Sequence, residues 1–258
     1  CSSDLGQNLC VNGRVYIMKQ SEYIRNIVDR FPKGYVFTYA DFIDKVRSEE
    51  ALAKALNRLV AAGKIVKLAK GKFYKPEQSP FGELPPDRYQ VVKDLLERDG
   101  KVAGYLTGLS IYNSLGLTNQ VGSVIQIGRN ELRSSFNRGR YTISFVKQKN
   151  SITKENIPLL QFLDSLRFIK KIPDSSIGNS CKTLQKRISK FPEKDQEKMV
   201  KLSMKYPPAT RALLGAILCD MNRDEVAEKL RKSLNPLTSY TIPGVPDALF
   251  SATRWRIK

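Results

Sequence analysis

The stretch "ALNRLVAAGKIVKLAKGKFYKP", residues Ala55–Pro76, decides the predicted fold of the N-terminal part of the chain. It begins as the end of an amphipathic helix, breaks at Gly63, and then alternates apolar residues with five lysines and no acidic residue. Gly63 suits the left-handed position at which many helices end. The segments "KIVKL" and "KFYK" then fold back at a turn in which Gly71 suits a positive φ. The stretch therefore predicts a helix followed by a β-hairpin.

Two further helices are predicted upstream of this stretch. Apolar residues at helical spacing between residues 19 and 30 predict the first helix. A short strand at Tyr35–Phe37 follows it. Thr38, with Asp41 three residues later, has the spacing of a capping box and predicts a short second helix that ends at Val46.

The third predicted helix, which contains the start of the opening stretch, follows Ser48 as its N-cap. Its buried stripe consists of Leu52, Ala55, Leu56 and Leu59. The complete order of helix, strand, helix, helix and hairpin is typical of the winged helix-turn-helix. In such modules the third helix enters the major groove of DNA, and the hairpin, or wing, lies against the backbone or the minor groove.

The candidate residues for DNA contact lie on the third helix, on the wing and at the helix N-caps. Asn57 and Arg58 can read adenine and guanine edges through bidentate hydrogen bonds, and lysines on the wing suit salt-sensitive contacts to phosphate. Glu49 and Glu50 oppose phosphate contact unless one of them accepts a hydrogen bond from cytosine. The candidates are Thr38, Ser48, Lys54, Asn57, Arg58, Lys64, Lys67, Lys70 and Lys72.

The composition of the whole chain favours a nucleic-acid partner. Its 44 Lys and Arg against 25 Asp and Glu give a formal net charge of +19, which favours polyanionic partners. The chain has no histidine, the commonest general base and metal ligand. The cysteines show no C-x-x-C spacing, and no apolar run approaches the ~18 residues of a membrane span. We expect a cytoplasmic protein without a metal site, a cofactor or a membrane partner.

Two domains are expected for a chain of 258 residues. The proline-rich stretch "PEQSPFGELPP", Pro76–Pro86, predicts a stiff linker between them. The predicted fold class is α+β, with a winged helix-turn-helix over residues 15–78 and a larger mixed α/β domain over residues 86–258. Residues 79–85 form the predicted linker, and residues 1–14 are interpreted as a tail.

The second domain is predicted to combine a small sheet with several helices. Helices are predicted over Tyr89–Arg98 and Tyr105–Leu115, and strands over "GSVIQIG" and "RYTISFVKQ", with "RSSFN" as a further candidate strand. Further helices are predicted from "NIPLLQFLDSLRFIKKI", "EKDQEKMVKLSMKY" and "PPATRALLGAILCDM". The closing segment "ATRWRIK", which contains Trp255, is predicted to be an edge strand.

Two patterns resemble enzyme sites, and both have a simpler interpretation. Gly122 and Ser123 resemble the G-S pair of nucleotidyltransferases, but Glu131 is the only nearby acid that could hold magnesium. The acids and the lysine within residues 193–198 resemble a nuclease cluster, but on a helix they point in different directions and form a solvated face. No catalytic residue is assigned.

Several stretches together resemble the AbiEi-type antitoxins of bacterial type IV toxin–antitoxin systems, which act in abortive infection and phage defence. These stretches are "VFTYADF" with the opening stretch, "LSIYNSLGLTNQV" followed by "YTISFV", and "YPPATRALLGAIL" with "SLNPLTSY". The resemblance runs over nearly all of residues 18–258. It implies a winged helix that represses its own operon by binding repeats in double-stranded promoter DNA, and a C-terminal antitoxin domain. It also implies a functional partner, a nucleotidyltransferase-like toxin, that the antitoxin opposes without forming a stable complex.

The resemblance also places individual residues. Asn57 and Arg58 match the family's "L-x-R-L" region, and the segment from Lys67 to Lys72 matches its wing. Lys67 stands where family members often have arginine, so the planar guanidinium fork is lost there. A dimer on the DNA repeats is implied by the resemblance alone. Two alternatives stay open, a nuclease-like enzyme that the winged helix targets to nucleic acid and a winged-helix protein-docking module.

Overall fold

The chain is a mixed α/β protein, as its composition and patterns predict. The computed structural model describes residues 8–11, 14–17, 20–46, 48–98 and 100–258. The chain divides into two compact units, an N-terminal unit of Cys1–Val92 and a C-terminal unit of Lys93–Lys258. Within the described residues, no helix is both long enough and apolar enough to span a membrane.

The N-terminal unit has the predicted order of helix, strand, helix, helix and hairpin. Its elements are β1 (Asn8–Val11), β2 (Arg14–Ile17), α1 (Gln20–Arg30), β3 (Val36–Thr38), a 3₁₀ helix (Tyr39–Lys45), α2 (Glu49–Ala61), β4 (Val66–Ala69) and β5 (Lys72–Tyr74). Strands β3, β5 and β4 form an antiparallel sheet with β5 in the centre. This arrangement is compatible with a winged helix-turn-helix, in which α2 is the third helix and β4–β5 is the wing.

Local signals explain where these elements begin and end. The Thr38 hydroxyl accepts a hydrogen bond from Ala40 N, and the Asp41 carboxylate accepts one from Thr38 N, which confirms the predicted capping box. The helix that it begins is 3₁₀ rather than α. Ser48 caps α2 by accepting a hydrogen bond from Ala51 N. Gly63 has a φ of +65°, as the left-handed end of a helix requires.

Among the described residues, the N-terminal unit packs around a cluster of apolar side chains. The buried residues of this cluster are Ile24, Val28, Phe37, Phe42, Leu52, Ala55, Leu56, Leu59, Ile65 and Phe73. The predicted stripe of α2 is therefore confirmed. Phe37 from β3 and Phe73 from β5 stack with ring centroids 6.0 Å apart, which fixes the sheet against the helices. Burying each such side chain stabilises the fold by about 1.5–3 kcal/mol.

The tail and the linker expected from the sequence both contain regular structure. Residues 8–11 lie in β1, paired with β2, while residues 1–7 lie outside the described residues. The linker contains a hairpin of β6 (Glu77–Ser79) and β7 (Gly82–Leu84). Its prolines flank the paired residues or lie in the turn, so they leave the strands free to pair.

The C-terminal unit combines a four-stranded sheet with five later helices. Its first elements are α3 (Arg88–Leu96), which begins in the N-terminal unit, β8 (Glu97–Arg98), β9 (Lys101–Val102), β10 (Gly104–Thr107), α4 (Leu109–Ser114), β11 (Val124–Arg129), β12 (Phe136–Arg138) and β13 (Tyr141–Lys147). The helices that follow are α5 (Ile157–Arg167), α6 (Ile177–Ile188), α7 (Glu193–Ser203), α8 (Pro208–Cys219) and α9 (Asp224–Lys232), with 3₁₀ turns at Ile169–Lys171 and Thr253–Trp255. The sheet order is β10-β11-β13-β12, and β11 and β13 are parallel.

The structure corrects two predictions in this unit. The helix predicted over Tyr105–Leu115 is wrong in its first part, because strand β10 ends at Thr107 and Gly108, with a φ of +71°, separates it from α4. The closing segment does not form the predicted edge strand, although Ile257 makes an isolated parallel bridge with Tyr240. Trp255 lies in a 3₁₀ turn and is buried against Gly215 of α8, where a Cβ would approach its ring to 2.2 Å. Helices α6 and α9 were not predicted.

A buried polar network joins the sheet to α5 in the C-terminal unit. Tyr105 Oη and Thr107 Oγ1 donate to Asp164 Oδ2 at 2.8 and 3.0 Å, and Tyr206 Oη donates to Oδ1 at 2.9 Å. Gln148 Nε2 donates to both tyrosine oxygens at 2.8 Å. Burial raises the pKa of Asp164, although the three hydroxyl donors act in the opposite direction. The donors and acceptors match one another, so the network stabilises the packing of this unit.

Candidate nucleic-acid interface

The solvent face of α2 carries the polar residues that the sequence assigned to DNA contact. Asn57 and Arg58 are exposed, as is Lys54 one turn earlier. The opposite face packs into the apolar core of the N-terminal unit. The three side chains therefore share one accessible helix face, which can meet base edges and phosphates without rearrangement of the core.

An ion pair modifies the charge of this face. Lys54 Nζ lies 2.6 Å from Glu50 Oε1, and both side chains are largely exposed. A solvent-exposed pair of this kind is worth about 0–1 kcal/mol, so Lys54 can exchange its carboxylate partner for a phosphate. The pair also offsets the repulsion that Glu50 would exert on a nearby DNA backbone.

The wing places further positive charges at the surface. Lys64, Lys67 and Lys70 are exposed, and Lys72 is partly exposed and engaged in other interactions. The turn between β4 and β5 contains Gly71, whose φ of +69° confirms the predicted turn position. An irregularity in the pairing between Lys67 and Ala69 precedes this turn. Lys70 and Lys72 thus adjoin Gly71 at the tip of a tight hairpin, a position that suits contact with phosphates.

Lys75, the last lysine of the stretch Ala55–Pro76, makes contacts within the protein. Lys75 Nζ donates to the carbonyl oxygens of Asp29 at 2.6 Å and Phe31 at 3.0 Å. It therefore ties the end of the wing to the C-terminus of α1. The structure separates this structural lysine from the exposed wing lysines, a distinction that spacing in the sequence does not provide.

Thr38 and Ser48 serve first as caps. The Thr38 hydroxyl accepts from Ala40 N and donates to Asp41 Oδ2 at 3.2 Å, so its hydrogen is already used. The Ser48 hydroxyl accepts from Ala51 N, and Ser48 is exposed at the N-terminus of α2. Its O–H can still donate to a phosphate. Ser48 therefore fits the predicted role better than Thr38 does.

Tyr39 also lies beside the wing, a position that was not predicted from the sequence. Its ring packs edge-on against Phe73 with centroids 5.8 Å apart, and it lies 3.5 Å from the position that a Cβ on Gly71 would take. Tyr39 is only partly buried beside the tip of the wing. In the sequence, Tyr39 is recognisable as the aromatic residue directly after the capping Thr38. In the structure, it is half-exposed and supports the hairpin turn.

The acidic side chains at the start of α7 do not form one cluster. Glu193 pairs with Arg223 instead, and Glu197 is exposed. In the part of the chain that the structure describes, no group of three or more acidic or cysteine side chains is placed to hold a metal ion. Cys181 and Cys219 are free and buried.

Comparison with known proteins identifies the family of the chain. Residues 23–190 match a model described as a family of unknown function, DUF6088. The chain belongs to this family. The DUF6088 match begins in α1, includes α2, the wing and the four-stranded sheet, and ends shortly after α6.

A solved structure shares the fold of this DUF6088 protein. The crystal structure of the RV2827C protein from Mycobacterium tuberculosis superposes with a TM-score of 0.53 at 14% sequence identity. The alignment covers 86% of this chain and 83% of that chain, so the likeness includes most of both proteins. Comparison with curated proteins gave no match.

Proposed function

We propose that the protein is a DNA-binding antitoxin that represses its own operon, in the manner of the AbiEi-type antitoxins that its sequence resembles. The observation that supports DNA binding is the joint exposure of Asn57 and Arg58 on α2 and of Lys67 and Lys70 on the wing. These residues belong to one compact unit with an apolar core. Base reading by α2 and phosphate contact by the wing are the two parts of recognition that such a module requires.

The remaining candidates divide between these two parts. Lys54 and Ser48 lie on α2 and at its N-terminus, where they can contact the backbone beside the bases that Asn57 and Arg58 read. Lys64 precedes the wing, and Lys72 is the first residue of its second strand, β5. Thr38 keeps a structural role in this proposal.

The antitoxin part of the proposal rests on the resemblance. In this proposal the C-terminal unit opposes a nucleotidyltransferase-like toxin. This role requires no catalytic residue in the chain. The proposed setting is the cytoplasm, where promoter DNA and the toxin are both accessible. A dimer on the promoter repeats belongs to the same proposal.

Binding to the DNA upstream of the protein's own gene tests the first part. The full chain should bind this DNA more tightly than scrambled DNA, with an affinity that falls as salt rises. Arg58→Ala should reduce the free energy of specific binding by about 1–3 kcal/mol and relax sequence preference at one position. Arg25→Ala, an exposed arginine on α1, is the matched control. Equal affinity for both DNAs would refute base reading.

Coexpression with the toxin encoded alongside tests the second part. The full chain should restore the growth that the toxin arrests, and Arg58→Ala should keep this ability because it lies in the other unit. Persistent arrest with a well-expressed chain would refute the antitoxin role and leave the DNA-binding role standing.

A further inference from the structure

A second set of basic side chains lies at the edge of the sheet in the C-terminal unit, around Arg129. Arg129 is the last residue of β11, and its side chain is only 7% exposed. Its Nε atom is buried and has no hydrogen-bond partner among the described residues. A buried arginine N–H without a partner is costly, so this atom calls for an acceptor.

The backbone explains how Arg129 reaches the edge of the sheet. Arg129 pairs with Gly104 of β10, the edge strand, and the two residues therefore share one face. A Cβ on Gly104 would lie 3.0 Å from Arg129 Cγ. Because Gly104 has no side chain, the side chain of Arg129 has space to lie across the edge strand.

Further basic residues belong to the segments next to Arg129. Arg98 and Lys101 are partners in the β8–β9 hairpin, which leads directly into Gly104. Arg133 follows β11 and is exposed. Burial and then the charges of Arg133 and Arg98 lower the pKa of Arg129, while Glu131 opposes them. The electrostatic influences on Arg129 therefore come from two guanidinium groups and one carboxylate, so positive charge predominates near this residue.

We propose that Arg129, with Arg98, Lys101 and Arg133 around it, binds a phosphate group at this edge of the sheet. Guanidinium groups are suited to phosphate because their N–H groups match its oxygen atoms in pairs. In this proposal the buried Arg129 supplies a fixed hydrogen-bond donor, and the exposed basic residues add positive charge near the bound phosphate. Inorganic phosphate, a nucleotide and the phosphodiester backbone of a nucleic acid share this chemistry. The site lies in the C-terminal unit, so it does not depend on the wing.

Phosphate titration of the full chain tests the site. Thermal unfolding in sodium phosphate, compared with sodium chloride at equal ionic strength, should show a saturable rise in Tm. Calorimetry with inorganic phosphate should give a matching Kd. A rise that chloride reproduces, or no saturable rise at all, would overturn the proposal.

Variants locate the site. Arg129→Gln should weaken phosphate binding at least tenfold, whereas Arg140→Gln should change it less than twofold. Arg140 is an exposed arginine of the same unit whose guanidinium packs over Tyr141. Equal losses in both variants would indicate general charge attraction and overturn the proposal.

Two surface variants keep the test valid if Arg129→Gln fails to fold. Arg133→Gln should weaken binding about threefold to tenfold, and Glu131→Gln should strengthen it by a similar factor, because each removes one nearby charge. Both residues are exposed, so neither change disturbs the core. Unchanged affinity in both variants contradicts a site at this position.

Three ligands separate the possible sources of the phosphate. Inorganic phosphate, thymidine monophosphate and a dinucleoside monophosphate with a single internal diester should be titrated into the variant Lys67→Gln/Lys70→Gln, which lacks two exposed lysines of the wing. Binding of the diester as tight as that of phosphate indicates a nucleic-acid backbone, and binding of only the first two indicates a free phosphate compound. Loss of all binding in this variant, with wild type still binding, would place the phosphate on the wing and overturn the proposal.

Discussion

The two units place their polar chemistry in opposite ways. The described core cluster of the N-terminal unit consists of apolar side chains, and the exposed candidate DNA contacts of α2 and the wing lie on the surface of this unit. The C-terminal unit instead buries a carboxylate, Asp164, with hydroxyl donors from Tyr105, Thr107 and Tyr206. The exposed polar residues of α2 and the wing tip, such as Asn57, Arg58 and Lys70, are therefore accessible to a partner, while those of the buried network are committed to the fold.

This difference separates effects on binding from effects on stability. Changing an exposed lysine removes a charge without opening the core, and such surface changes usually alter stability by less than about 0.5 kcal/mol. Removing a member of a buried network leaves its former partners unsatisfied, which costs about 1–3 kcal/mol for each group. The following predictions test this contrast.

The largest effect is expected at the buried carboxylate. Asp164→Ala leaves three hydroxyl donors without their acceptor, so the free energy of unfolding should fall by about 3–5 kcal/mol. Urea unfolding followed by circular dichroism measures this. Glu197→Ala, an exposed acid on α7, should change stability by less than about 0.5 kcal/mol. Comparable losses in the two variants would show that the network adds little.

A smaller loss is expected where α8 meets the closing turn. In Gly215→Ala the new methyl group would approach the Trp255 ring to 2.2 Å, and such overpacking costs about 1–3 kcal/mol. The double variant Gly215→Ala/Trp255→Phe should recover part of this loss, because the smaller ring leaves space for the methyl group. Purely additive losses in this double-mutant cycle would contradict the contact.

The wing should respond in the opposite sense to the buried network. Lys67→Gln/Lys70→Gln should weaken DNA binding about tenfold and reduce the slope of log K against log salt by about two units. Its urea midpoint should stay unchanged, because both lysines are exposed. Lys75→Gln provides the contrast. It removes two hydrogen bonds to the end of α1, so its main effect should be a loss of stability. A wing variant that unfolds more easily yet binds DNA normally would reverse the comparison.

The smallest effect is a dependence of stability on pH. Burial raises the folded-state pKa of Asp164 above the ordinary value of about 3.9. The contribution of this group to stability is therefore full below the ordinary pKa and is lost as pH rises through the raised pKa. The stability of the wild type relative to Asp164→Asn should fall as pH rises from about 4 and then level off. A difference that increases with pH would contradict this sign.

Much of the N-terminal unit was predictable because its signals are local. The capping box of Thr38 and Asp41, the Ser48 cap, and the buried stripe of α2 each depend on residues a few positions apart. Gly63 and Gly71 mark backbone positions with positive φ, a requirement that is visible in sequence because glycine meets it without strain. The assignment of the site residues to DNA contact stays a prediction.

The errors arose where distant parts of the chain decide the structure. "GYLT" is a strand because it pairs with β11 and because Tyr105 and Thr107 both reach Asp164, 59 and 57 residues away. Trp255 is buried because Gly215 leaves a space for its ring. Asp164 and Gly215 are distant in sequence from the residues that they contact. Hydrophobic periodicity, which depends on residues a few positions apart, therefore does not reveal these contacts.

The sequence by itself determined that α2 and the wing form, because caps, turns and hydrophobic spacing act within a few residues, and that the wing carries positive charge. Only the tertiary structure decided which charges are used within the protein. Lys75 is bound to α1, Asp164 is enclosed by hydroxyl groups, and Arg129 is inset beside Gly104. Burial and hydrogen-bond partners depend on segments that meet only when the chain folds, and the free energy of each charged group depends on both.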